Sequence, residues 1–204
     1  MKRLSKDFFA REDVVAISRE LIGKFLVTNF DGEKTSGMVI ETEAYNGIID
    51  KASHAYNGRR TARNEVMYGP SGMSYVYLCY GIHHLFNIVT NIKDVPHAVL
   101  IRAIIPKDGL DVMLKRRNMK SVTKKFSDGP GTISHALGIR KSHSGVSLSS
   151  KLIWVEDRGV WFDKKDIMAG PRIGVDYAGK DALLPYRFRL KENKISELRH
   201  EWNY

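Results

Sequence analysis

Cysteine is almost missing from this sequence: Cys79 is the only one in 204 residues. That excludes an intrachain disulfide, a cysteine-built zinc site and a four-cysteine iron–sulfur cluster. Long apolar runs are missing as well. The nearest to one, residues 75–89, is interrupted by Gly81, His83 and His84, short of the roughly 18 apolar residues that a membrane-spanning helix needs. The opening residues Met1-Lys2-Arg3-Leu4-Ser5-Lys6-Asp7 meet an acid before any apolar stretch, so no secretory signal is read and an intracellular chain is expected. No Gly-x-Gly-x-x-Gly or Gly-x-Ser-x-Gly occurs, and Gly129-Pro130-Gly131 lacks the Gly-Lys-Ser/Thr of a phosphate-binding loop. The seven histidines show no ligand spacing, so neither a metal nor a cofactor is expected.

Acids are fewer than bases. The chain has 33 Lys and Arg against 23 Asp and Glu, a net charge of +10 at pH 7. The excess is local: residues 115–151 hold nine Lys or Arg and one acid, Asp128. A concentrated basic face attracts nucleic acid or anionic lipid. Apolar content of 43% and charged content of 27% are those of an ordinary globular chain, and the length suits one domain over residues 1–204.

Local patterns predict an α+β fold. Val14, Ile17 and Leu21 recur at helical spacing within 11–22, followed by Gly23 at a C-cap position. Residues 24–29 and 35–45 alternate like two strands around the turn Asp31-Gly32, with Glu41, Glu43 and Tyr45 on one face. A second hairpin is predicted from 75–80 and 85–90, with Tyr80 at its tip. Residues 98–105 form an apolar strand broken only by Arg102 and ended by Pro106. A helix after Gly109, a basic loop over 115–125, a helix over 132–137, and short strands at 152–155, 172–175 and 186–190 complete the expectation.

Six of the nine tyrosines fall between positions 45 and 80. Beside an acid and basic loops, such aromatics suit a slot for a flat ring, although core filling explains strand tyrosines equally well. A carboxylate in mid-strand either meets solvent or is held for a purpose, and spacing does not choose between Glu41 and Glu43. Arg102, inside an apolar strand, requires an anionic partner if that strand is buried, with Glu43, or a water that both hold, the expected one. An aromatic at a hairpin tip can wedge between base pairs or fold back on its own strands.

Taken in order, Glu41-Thr42-Glu43-Ala44-Tyr45, His54-Ala55, Arg63-Asn64, Met67-Tyr68-Gly69, Tyr75-Val76-Tyr77, Tyr80-Gly81, Asn87 and Leu100-Ile101-Arg102-Ala103 resemble the alkyladenine (3-methyladenine) DNA glycosylase family. Gly129-Pro130-Gly131, Arg172-Ile173-Gly174-Val175 and Ala178-Gly179 match its later motifs. The resemblance implies one α+β domain with a curved, mainly antiparallel sheet, flanking helices and a protruding hairpin that inserts Tyr80 into DNA. It implies a base pocket of Tyr45, His54 and Tyr77, with Asn87 crowding the 2-amino group of guanine. It further implies Glu43 as general base for a water, helped by Arg102 and the Val175 carbonyl. The substrate class implied is alkylated or deaminated purine in double-stranded DNA, released by hydrolysis to leave an abasic site, by a monomer with no obligate protein partner and no membrane. Arg59, Arg60, Arg63, Lys115, Arg116, Arg117, Lys120, Lys124 and Lys125 are the candidate contacts to the DNA backbone. Ile48-Ile49 and residues 90–94 depart from the family pattern. A non-catalytic damaged-DNA binding protein is the competing reading of the same basic, aromatic face.

Overall fold

The computed structural model describes residues 1–123 and 126–202. In chain order its elements are β1 (Lys2–Arg3), α1 (Lys6–Phe9), α2 (Val14–Glu20), β2 (Phe25–Phe30), β3 (Glu33–Tyr45), β4 (Ser74–Cys79), β5 (His83–Thr90), β6 (His97–Asp108), α3 (Leu110–Arg117), α4 (Pro130–Leu137), β7 (Ile153–Asp157), β8 (Ile167–Gly170), β9 (Arg187–Leu190) and α5 (Glu192–Glu201), with short 3-10 turns between them. The strands form one antiparallel sheet in the order β1-β7-β2-β3-β6-β5-β4, and β9 pairs with both β3 and β8. This is an α+β fold.

The longest strand organises the sheet. Along one edge β3 pairs first with β2, up to Met38, and then with β9 over Glu41–Glu43; along the other edge it pairs with β6. The β3–β6 ladder slips at Ile40 and again at Arg102, each left without an opposite residue. Such bulges bend a strand and re-aim the side chains beside them. A third slip lies beside Pro106, which is why β6 runs through this proline to Asp108 and does not stop there as the sequence suggests.

α2 is shorter than the apolar repeat around it because Asp13 caps it, its carboxylate accepting the N–H groups of Val15 and Ala16 at 2.9 Å each. Val14, Ile17 and Leu21 are buried, and Ser18 and Thr42 share a buried hydrogen bond that joins the helix to β3. Lys115, Arg116 and Arg117 are the last turn of α3, not part of a loop, and their positive charge suits the helix C-terminus. Lys124 and Lys125 lie outside the described residues. α4 begins at Pro130, the first-turn position that a proline favours.

Residues 172–175 form no strand; the strand of this region is β8, five residues earlier. α5 was not foreseen, although Ile195, Leu198 and Trp202 carry its apolar spacing and all three join the main core.

Gly37 sits opposite Pro106, where a Cβ would stand 2.4 Å from Ile104 Cδ1. Gly37→Ala is expected to lower stability by about 1–3 kcal/mol in urea unfolding. Adding Ile104→Val, which removes that methyl group, should recover part of the loss.

Candidate active site

Strand register brings distant residues into one row. Tyr75 on β4 pairs with Asn87 on β5, Asn87 with Leu100 on β6, Leu100 with Glu43 on β3, and Glu43 with Arg187 on β9. Residues that pair directly across a sheet project from the same face. Above the row opens a cavity of about 650 Å³, lined by Tyr45, His54, Arg63, Tyr75, Tyr77, Tyr80, Asn87, Leu100, Arg102 and Val175, among others.

Glu43 is fully buried, and three residues that it contacts, Tyr45, Arg102 and Ile173, line this cavity. Its Oε1 accepts the Ile173 N–H at 2.8 Å and lies 3.3 Å from Arg102 Nη1, while its Oε2 accepts the Tyr45 hydroxyl at 2.9 Å. Burial raises the Glu43 pKa above the ordinary carboxylate value, and Arg102, the Ile173 N–H and the Tyr45 hydroxyl pull against it. The neighbouring charge of Glu41 adds to the rise.

The two acids left open by spacing have different surroundings. Glu41 is enclosed by three guanidinium groups, with Arg102 Nε at 3.0 Å, Arg189 at 3.2 Å and Arg187 at 3.6 Å. Arg102 therefore bridges both acids, a sharing with Glu41 that the sequence did not suggest. Its bulged position turns it to them, and its carbonyl accepts the N–H of Gly129.

The other walls are aromatic. His54 Nδ1 hydrogen-bonds the Tyr75 hydroxyl at 2.8 Å, and its ring meets Tyr77 edge-on at 4.6 Å. Burial, with the charges of Arg63 and Arg59, lowers the His54 pKa to about 4, so the imidazole is neutral near pH 7. Burial likewise pushes Tyr75 up to about 12 and Tyr45 well above its usual value, keeping both phenols as donors. The Asn87 amide is held by the carbonyls of Tyr75 and Leu85 at 3.2 and 3.3 Å. Val175 is buried against Ala52, Ala178 and Tyr45, and its carbonyl accepts the Ala178 N–H at 2.8 Å.

Tyr80 stands at the turn between β4 and β5 with 91% of its surface exposed. Its φ is +51° and that of Gly81 is +73°, the sign pattern of a type I′ hairpin turn. A bulky residue at positive φ is a strained choice, and such strain concentrates at functional sites. The basic residues divide into two groups. Arg59, Arg60, Arg63, Lys115 and Lys120 are exposed, and among the described residues all of these but Arg60 are outside ion pairs. Arg60 is paired with Glu65 and Asp94, Arg116 with Glu33, and Arg117 donates to the Phe126 carbonyl.

Sequence reasoning missed the Ile173 N–H, whose role at Glu43 comes from the backbone and leaves no mark in residue type. It also missed the buried pair of Asp50 and Arg172, which are 122 residues apart. Among the described residues no three His, Cys, Asp or Glu side chains gather as a metal ligand set, and no helix is long and apolar enough to cross a membrane.

The model of the methylpurine-DNA glycosylase family matches residues 7–194. The chain belongs to this family. Among its relatives, a Chlamydia felis protein is 44% identical over 196 residues, covering 96% of this chain and all of the relative. A Clostridium perfringens protein is 44% identical over 201 residues, 95% of this chain and 98% of its own. One from Bacillus mycoides is 43% identical over 193 residues, 91% and 95%. Each bears the name "Putative 3-methyladenine DNA glycosylase". As a member of the methylpurine-DNA glycosylase family, the chain is a DNA repair enzyme with DNA as its substrate.

The raised Glu43 pKa has a stability consequence with a definite sign. The folded glycosylase holds this proton more tightly than the unfolded chain, so the contribution is full below about 4.5 and is lost as pH rises through the folded pKa. Glu43→Gln removes the buried charge and keeps an acceptor for Ile173. By calorimetry it is expected to unfold at a higher temperature than the native chain at pH 7, with the gap closing below pH 4.5.

Proposed function

We propose that this glycosylase removes alkylated or deaminated purines from duplex DNA, the 3-methyladenine, 7-methylguanine, hypoxanthine and ethenoadenine class, by hydrolysis with Glu43 as general base. The observation that carries the reading is a fully buried carboxylate whose three binding partners, Arg102, Tyr45 and Ile173, all line one aromatic cavity. A cavity of about 650 Å³ holds one nucleoside with room at its rim.

In this mechanism Tyr80 enters the base stack and takes the place of the extruded nucleotide. The purine lies between Tyr45 on one side and His54 with Tyr77 on the other, and the fixed Asn87 amide crowds an exocyclic 2-amino group. Neutral His54 adds no charge against a cationic purine. Glu43, ionised with help from Arg102, takes a proton from water as its oxygen attacks the sugar C1′ and the bond to the purine nitrogen breaks. The carboxylate also stabilises the oxocarbenium-like transition state. The bonding electrons leave with the purine, which neutralises a methylated base directly; hypoxanthine and ethenoadenine, uncharged in DNA, leave as anions that take a proton from solvent water. The Val175 carbonyl, already bonded to Ala178, has a second lone pair for the same water. Of the set proposed to meet phosphates, Arg59, Arg63, Lys115 and Lys120 are the exposed members that are not engaged in ion pairs among the described residues, as exposed Arg60 is. The mechanism calls for one copy of the chain, without a metal or cofactor.

Single-turnover base release from duplexes carrying hypoxanthine, ethenoadenine or a methylated purine tests the reading, with abasic sites revealed by hot alkali. Glu43→Gln is expected to lose about 10²–10⁴-fold in rate while still binding lesion DNA. Equal rates in the two proteins would remove Glu43 from the chemistry, and strand breaks before alkali, or a borohydride-trapped adduct, would overturn simple hydrolysis. Tyr80→Ala is expected to slow release from a stable duplex more than from a mispaired or single-stranded site, where less unstacking is needed. Equal losses on both would count against the wedge.

A further inference from the structure

Asp50 and Arg172 form a bidentate ion pair away from solvent, with Nη2 to Oδ1 at 2.8 Å and side chains 1% and 0% exposed. Burying two charges costs as much as their attraction returns, and apolar residues of similar volume usually hold a fold as well or better. The pair is therefore poorly explained as a simple fastener. Two of its other contacts, the Tyr45 ring and the Ala52 N–H, belong to residues that line the cavity. Arg172 donates to the carbonyls of Ala44, beside Tyr45, and of Asp181, and its guanidinium lies 4.9 Å over the Tyr45 ring and 5.3 Å over Tyr186. Asp50 accepts the N–H groups of Asn46 and Ala52, shaping the loop that leads to His54. Arg172 Nε is buried without an acceptor, so the group is oriented by Asp50 and the two rings and not by its own full satisfaction.

We propose that the Asp50–Arg172 pair is the positioning element of this active site, holding the Ile173 N–H on the Glu43 carboxylate and fixing the Tyr45 ring from behind. The inference rests on the reading of Glu43 as the base. Residues 171–175 belong to no helix or strand, and Gly174 has φ of +74°, so no backbone ladder holds the Ile173 peptide in place. The neighbouring Arg172 side chain is the tie that does. Without it, Glu43 loses a donor that favours its ionised form. Of the other groups facing Glu43, Arg102 on β6, Glu41 on β3, Arg187 opposite in β9 and Tyr177 across the cavity stay where they are, while the Tyr45 ring loses the guanidinium behind it.

Two measurements on the full chain test this positioning role. In protein labelled with 15N-isoleucine, the Ile173 amide shift of the wild type is expected to titrate with the same midpoint as the acid limb of single-turnover hypoxanthine release. In Asp50→Asn, that shift should lose most of its amplitude, and the acid limb should move alkaline by about one pH unit. Below both midpoints release is then about tenfold slower, with affinity for an abasic duplex unchanged within about twofold. Arg172→Lys, which keeps the charge but not the fork, should fall between the two proteins; it carries the test if Asp50→Asn does not fold. A variant that loses thermal stability while keeping the wild-type limb and the full Ile173 titration would overturn the proposal. So would a wild-type Ile173 amide that does not respond to Glu43. The amide titration needs no turnover, so it separates failure of the positioning role from failure of Glu43 as base, which Glu43→Gln reads.

Discussion

Glu43 has no exposed surface, and a carboxylate so placed persists only where donors and an opposite charge are built around it. Much of the molecule can be followed outward from that requirement. Arg102 reaches Glu43 because β6 bulges at that residue; Arg102 in turn is steadied by Glu41; Glu41 is shared with Arg187 and Arg189 on β9; and Arg189 extends to Asp128 at 3.8 Å. The short β9 strand, which takes over the edge of β3 where β2 ends, is thus the element that brings the outer arginines to the acids.

The cavity shows a second consequence of the same burial. Its floor and walls come from four adjacent strands and the connections that join them, and titratable groups around it are held in defined states: Glu43 with a raised pKa, His54 neutral, Tyr45 and Tyr75 as donors. The aromatic side chains of the slot have the flat faces that stacking requires, and Glu43 beside them has no exposed surface. Tyr80, the one aromatic at positive φ among the described residues, stands outside this enclosure on a turn that presents it to solvent. Enclosure of the slot and exposure of the tip arise from one hairpin, since Tyr75 and Tyr77 face the cavity from the strand that Tyr80 terminates.

Much of the fold was legible because its signals are local. The alternation in β3, the Asp31-Gly32 turn, the β4–β5 hairpin and the apolar face of α2 each follow from neighbouring residues. Errors arose where a distant partner overrode the local rule. Pro106 would end an isolated strand, but a bulge beside Gly37 lets β6 continue. Arg172 to Val175 look extended, yet that segment is bent so that a backbone N–H can reach Glu43. Arg60 and Arg116 count as free positive charge in a sequence, whereas in the fold they face Glu65, Asp94 and Glu33.

The sequence by itself determined the residue types available for chemistry, the family to which they belong, and the placement of most of them on strands or turns, because these depend on side-chain identity and short-range spacing. The family resemblance pointed to Glu43, and only the tertiary structure shows how the surroundings of Glu41 and Glu43 differ. The two lie on one face of one strand, and the difference is made by partners from β6, β9 and the 172–175 loop: three arginines around Glu41, and one arginine, a phenol and a backbone N–H around Glu43. Proton affinity depends on burial and neighbouring charge, and both are properties of the packed chain.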